Sequence, residues 1–227
     1  MNDLSEKEQL DELRTWWKEN RFLIIGGVAL GIAIIAGFKL WNAQQLNASL
    51  AASGHYEELL DQVSNQRLEP AREIADKLIQ EHSSTIYADQ ARLAMARLYM
   101  DNGRDADAAQ VLRPLATGSG DKPMQLVARL RLASILLYQD KPQEVLDLLK
   151  LPRDSAFAAR FNEVIGDAHV ALGNIDEAAA AYNAVLADAR GAQTVDAGLV
   201  QMKLGDLPDT GELAASDGAA PATEEQE

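Results

Sequence analysis

Apolar residues fall along this chain in two patterns. From Phe22 to Phe38 they form one run, FLIIGGVALGIAIIAGF, with no charged residue. From about residue 42 to 203 they recur every three or four positions, which is the helical period. The first pattern predicts a membrane span. Extended through Lys39 and Leu40 to Trp41, a helix over 22–41 is about 30 Å long, the thickness of a bilayer's hydrocarbon core. Lys39 sits near the end, where its stem can snorkel to the interface. Trp16 and Trp17 precede the run and Trp41 ends it, the placement indole rings favour at headgroup level. A cleaved signal peptide has a shorter apolar region, of about 7–15 residues, and a small-residue cleavage site. Here a charged segment, residues 1–21, precedes a longer run and no clean A-x-A motif follows at once, so an uncleaved anchor is expected.

Orientation follows from lysine and arginine near the span. Lys7, Arg14, Lys18 and Arg21 precede it, and after Lys39 the next basic residue is Arg67. Residues 1–21 should be cytoplasmic and the bulk of the chain should lie across the membrane, a single-pass type II arrangement. Within the span Gly27 and Gly31 form a GxxxG pair that would let another helix approach closely.

In the second pattern Gly103, Asp140-Lys141-Pro142 and Gly173-Asn174 interrupt the apolar period, and nothing alternates as a strand would. The fold class expected is all-α. The interruptions also carry an internal repeat. Ala96, Ala133 and Gly166 are small residues, each followed seven residues on by Gly103, Asp140 and Gly173. Twelve residues on stand Ala108, Val145 and Ala178, and sixteen on stand Leu112, Leu149 and Tyr182. This spacing resembles the tetratricopeptide repeat, a helix–turn–helix of about 34 residues whose copies stack into a solenoid. VIGDAHVALGNIDEAAAAYNAVL, residues 164–186, is the clearest copy. Arg92, Arg129 and Asn162 stand where that family has a large aromatic, and Pro152 should shorten the second helix of the middle copy. Residues 43–63 and 70–81 predict a more divergent helix pair, with His82-Ser83-Ser84 as the break after it. The segment 192–204 predicts a closing helix. The domain therefore extends over 42–205. The remainder, 206–227, contains seven acidic residues and no basic one, and is expected to be a disordered tail.

Composition sharpens this picture. The net charge of −14 disfavours a nucleic-acid binder, which needs a basic face. The absence of cysteine excludes disulfides, thiol nucleophiles and cysteine-ligated metals. Mean hydropathy is slightly negative, as for a soluble protein, because a neutral apolar anchor is averaged with a strongly acidic remainder. No phosphate loop, nucleophile elbow or H-E-x-x-H motif occurs. His55, His82 and His169 have no metal-ligand spacing, and His169 is expected as a packed residue of its repeat. Neither enzymatic activity nor a cofactor is expected, although Asp167 beside His169 leaves an assembled hydrolase site as an alternative. What remains is a surface. In repeat register its groove positions are Arg97, Met100, Leu130, Leu137, Tyr138 and Arg160, an apolar, aromatic and arginine mixture suited to polypeptide.

The segment LDELRTWWKENRFLIIGGVALGIAIIAGFKLW, residues 10–41, and the terminal LVQMKLGDL, residues 199–207, resemble the YfgM family, ancillary SecYEG translocon subunits of proteobacteria. The resemblance covers residues 1 to about 205. It implies an inner-membrane protein with periplasmic repeats and a non-enzymatic chaperone or scaffold role at the translocon. It implies the foldase PpiD as a partner and emerging secreted or membrane polypeptides as clients. A different reading is a signalling adaptor that sequesters a stress-response regulator, with Trp16-Trp17 in its cytoplasmic segment.

Overall fold

A computed structural model describes residues 6–118, 121–150, 157–188 and 191–208, all helix or turn. The first helix, α1, is Glu6–Ser64. It contains no proline, and its many leucine and alanine residues favour the helix over its few glycines. The change from apolar run to periodic pattern near residue 41 is thus a change of surface within one unbroken helix. Among the described residues this is the one helix long and apolar enough to cross a membrane, and none of its most apolar stretch is buried by protein. Two compact units divide at 53/54: Met1–Ser53 and Gly54–Glu227.

In the second unit the end of α1 is followed by α2 (Leu68–Glu81), α3 (Ile86–Asp101), α4 (Asp105–Thr117), α5 (Lys122–Tyr138) and α6 (Pro142–Leu148). Then come α7 (Ala158–Ala171), α8 (Ile175–Ala187) and α9 (Ala197–Gly205). The helices pair as antiparallel neighbours, α3 with α4, α5 with α6 and α7 with α8, and successive pairs stack. The tetratricopeptide-like order is therefore present.

The repeat register is a burial register. Ala96, Ala133 and Gly166 are buried in the first helix of each pair. Ala108, Val145 and Ala178 are buried at the start of the second helix, and Leu112, Leu149 and Tyr182 one turn later. Each turn uses one backbone device. Gly103, Asp140 and Gly173 all adopt left-handed φ, +69°, +58° and +75°. Each donates its N–H to the carbonyl three residues back, and the next residue donates to the carbonyl five back. The last carbonyls of the first helix are thereby satisfied while the chain reverses.

The same device occurs once more, where the sequence pattern is weak. Gln66 has φ +55°, with Gln66 N–H to Val63 O at 3.1 Å and Arg67 N–H to Gln62 O at 2.9 Å. Counting from this turn, Leu59, Ala71 and Ala75 occupy the three core positions, and all are buried. The divergent pair is therefore a fourth copy in full register. Its size pattern is inverted: leucine on the first helix and alanine at both positions of the second. A large residue in one slot and a small one in the other fill the same space.

Two details differ from expectation. Residues 192–204 are not one helix: a 3-10 turn spans Gly191–Thr194, and α9 begins at Ala197. Asp196 sets that start, its carboxylate accepting from Leu199 N–H at 3.1 Å, and its extended backbone ends the turn. Helix α5 is started likewise by Asp121, which accepts from Met124 N–H at 3.1 Å. Helix α6 is short as expected, but Pro152 lies outside the described residues, as does the acidic tail beyond Pro208.

Candidate functional site

The six positions expected to line a groove lie on the first helices of three successive pairs. Arg97 is exposed on α3 and pairs with Asp101 at 3.7 Å, while Met100, one turn on, is half-buried. On α5, Leu130 and Leu137 are half-buried and Tyr138 is 74% exposed. Arg160 on α7 is exposed, but its guanidinium is engaged: Nε donates to Thr194 O at 2.9 Å, fixing the turn before α9. Arg160 therefore helps hold the end of the stack in place. Tyr138 and Met100 present side-chain surface that no hydrogen bond among the described residues consumes.

The same series of helices carries an aromatic pair that the sequence did not reveal. Tyr56 on α1 and Tyr87 on α3 pack with ring centroids 5.7 Å apart and planes tilted by 44°. Burial pushes the Tyr56 phenol up from its ordinary value, and the Arg131 charge on α5 partly opposes this. Arg131 Nη1 also donates to Leu93 O at 3.3 Å. Two tyrosines and an arginine thus bridge three successive first helices, with the mixed apolar and polar character found at polypeptide contacts. The signal lay in the register of the first copy, which becomes readable once the turn at Gln66 is seen.

Other polar side chains tie neighbouring repeats together. Arg129, one of the residues in the aromatic slot, donates from Nε to Ala116 O at 2.7 Å and so satisfies a carbonyl in the last turn of α4. Arg113 meets Glu144 at 2.8 Å, and that hydrogen bond holds the Glu144 carboxyl below its ordinary range. Gln139 donates to Asp105 at 2.8 Å. A depression of about 450 Å³ lies over α4 and α6, lined by Arg113, Arg129, Glu144, Asp147 and Lys150 among others. Four of its five charges are paired, Arg113 with Glu144 and Lys150 with Asp147 at 2.6 Å.

Among the described residues His169 and Asp167 engage different partners. His169 Nδ1 lies 3.4 Å from Asn174 Nδ2 at the α7–α8 turn. Asp167 instead accepts from Tyr182 Oη at 2.7 Å and from Lys203 Nζ at 2.9 Å. Lys203 also reaches Glu163 at 2.9 Å, which fastens α9 across α7. Burial lowers the Lys203 pKa, but its bonds to Glu163 and Asp167 outweigh this and hold it above the ordinary lysine value. Burial and the bond to Asp167 together raise the Tyr182 phenol well above its own. His55 and His82 are half-buried side by side with ring centroids 5.8 Å apart. Among the described residues no three histidine or carboxylate groups are placed to hold a metal.

In the first unit, Gly27 and Gly31 have open space where a Cβ would project, so nothing in the described protein covers that face.

Comparison with known proteins bears on both units. A family model described as a tetratricopeptide repeat-like domain matches residues 14–209. An "Ancillary SecYEG translocon subunit" of Haemophilus influenzae is 28% identical over 205 residues, covering 90% of this chain and 98% of that protein. The protein of the same description from Escherichia coli is 26% identical, covering 89% and 97%, and that from Neisseria gonorrhoeae is 27% identical, covering 90% and 98%. No solved structure matches significantly. The likeness to these subunits thus takes in the apolar helix as well as the repeats.

Proposed function

We propose a function from one premise: this chain belongs to the tetratricopeptide repeat-like domain family. Its relatives are described as ancillary subunits of the SecYEG translocon, and the role inferred here is the same: a membrane-anchored subunit that associates with that channel. The single observation that carries the reading is the near end-to-end likeness, which covers 90% of this chain and 98% of the Haemophilus influenzae relative. The bias of Lys7, Arg14, Lys18 and Arg21 to one side of the span supports a cytoplasmic N-terminus, with the repeats across the inner membrane in the periplasm.

In that position the repeat domain acts as a non-enzymatic chaperone or scaffold. Emerging polypeptide expose apolar side chains before they fold, and a surface of Met100, Leu137 and Tyr138 flanked by Arg97 offers weak, broad contact for them. The resemblance that implies SecYEG also implies PpiD, whose foldase activity would then work on segments this domain holds near the channel. Mechanistically the anchor supplies proximity: it converts a weak encounter into one at high effective concentration.

Photocrosslinking from position 138 in intact membranes tests this reading. Capture of nascent secretory polypeptide, translocon subunits or PpiD is the expected result. Capture of none of these, with the protein folded and membrane-inserted, would overturn it.

A further inference from the structure

Helix α1 carries an apolar row that leaves the membrane. Leu10, Leu13 and Trp17 are 60%, 59% and 48% exposed, and they lie three and four residues apart. Continued at the same alternation, the row passes Asn20 and enters the span through Ile24, Gly27 and Gly31. Spacings of three and four keep these residues on one side of the helix. Asp11, Glu12, Lys18 and Glu19 fall on the other side. Leu10 lies about 18 Å along the helix before Phe22, so lipid tails do not cover it. An apolar row in water calls for a protein partner.

We propose that this face pairs two copies of the chain as a parallel helical dimer, through the seam Leu10, Leu13, Trp17, Ile24, Gly27 and Gly31. A partner for the face must be a helix that leaves the bilayer and continues straight for about three further turns with the same apolar spacing. A second α1 has that length and spacing by construction, and two-fold pairing sets each seam residue opposite its own equivalent. The charges agree with this occupant. No acidic or basic residue lies on the seam, so pairing brings no like charges into contact. Arg21, which flanks the seam, falls beside Trp16 of the second copy, where guanidinium and indole attract. Asn20 is the polar residue on the seam, a placement that fixes the alignment of paired helices at some expense of stability. Gly27 and Gly31 let the backbones close together where lipid gives no hydrophobic drive. This inference is independent of any association with the translocon.

The chain has no cysteine, so single-cysteine variants of the full protein report directly. Leu10→Cys, Leu13→Cys and Glu12→Cys, Thr15→Cys variants would be oxidised in isolated membranes. Only the seam brings equivalent Cα atoms within disulfide reach, so positions 10 and 13 should give roughly tenfold more covalent dimer than 12 and 15. Adding Gly27→Leu to Leu13→Cys should reduce the dimer severalfold. Equal yields at all four positions, no dimer, or crosslinking to a different polypeptide instead would each overturn the proposal.

Discussion

Gly166 on α7 leaves no room for a Cβ, because the ring of Tyr182 on α8 fills that space, with Cδ1 2.6 Å from where the Cβ would stand. The other copies divide the volume differently. Ala96 stands with Leu112 and Ala133 with Leu149, while Leu59 stands with Ala75. Gly166→Ala should therefore destabilise the domain by about 1–3 kcal/mol through overpacking. Gly166→Ala with Tyr182→Leu recreates the alanine–leucine combination of the second and third copies. A double-mutant cycle on thermal unfolding should show the pair costing less than the sum of the single changes, with a coupling of about 0.5–3 kcal/mol. Additivity would show that the two residues do not share a space.

The left-handed turns give a second test. Gln66 and Asp140 hold positive φ without being glycine, a conformation that costs an L-residue about 1–2 kcal/mol. Asp140→Gly should raise the free energy of unfolding by up to about 1 kcal/mol, since glycine's greater unfolded-state freedom offsets part of the relief. Gly103→Ala should lower it by a similar amount. No change in either would remove the turns from the account of stability.

The fastening of α9 predicts a dependence on alkaline pH. Lys203 and Tyr182 both have folded-state pKa values above their ordinary ones. A raised value contributes stability that is complete below the unfolded pKa, about 10 for both groups, and is lost as pH rises through the folded value. Thermal stability should therefore be flat from neutrality to about pH 9 and fall above about pH 10. Combining Lys203→Met and Tyr182→Phe should flatten that fall and lower stability at neutral pH, leaving Glu163 and Asp167 without their cation. An unchanged alkaline slope would assign the pH dependence to other groups.

Tyr138 separates binding from folding. At 74% exposure its ring contributes little to the core, so Tyr138→Ala should leave the free energy of unfolding within about 0.5 kcal/mol of the parent. If the groove surface holds polypeptide, the same change should reduce capture of an unfolded secretory chain severalfold, measured by fluorescence anisotropy. Retained affinity would move the contact elsewhere, with Tyr56 and Tyr87 next in line.

The parts of the fold legible in the sequence were those with a repeated small residue followed by a turn at fixed distance. Ala96, Ala133 and Gly166 satisfied that rule, and the burial pattern follows it. Leu59 broke it because size had moved from one helix to the other, and a rule keyed to small residues does not detect a conserved total volume. The closing helix starts later than its apolar pattern for a different reason: Ala192 and Val195 continue the pattern, but Asp196 caps a helix that starts afterwards. Long-range polar contacts were the least legible. Arg160, exposed in the groove register, also donates from Nε to Thr194 O, a partner 34 residues away that no local pattern shows.

The most direct test of the central claim is affinity purification of the intact protein from detergent-extracted membranes, with the bound proteins identified by mass. The account predicts recovery of SecYEG subunits with the full chain, and their loss when the anchor segment 1–41 is replaced by an unrelated span. A full chain that is folded and membrane-inserted, yet retains no translocon subunit under conditions that keep SecYEG itself assembled, would contradict it.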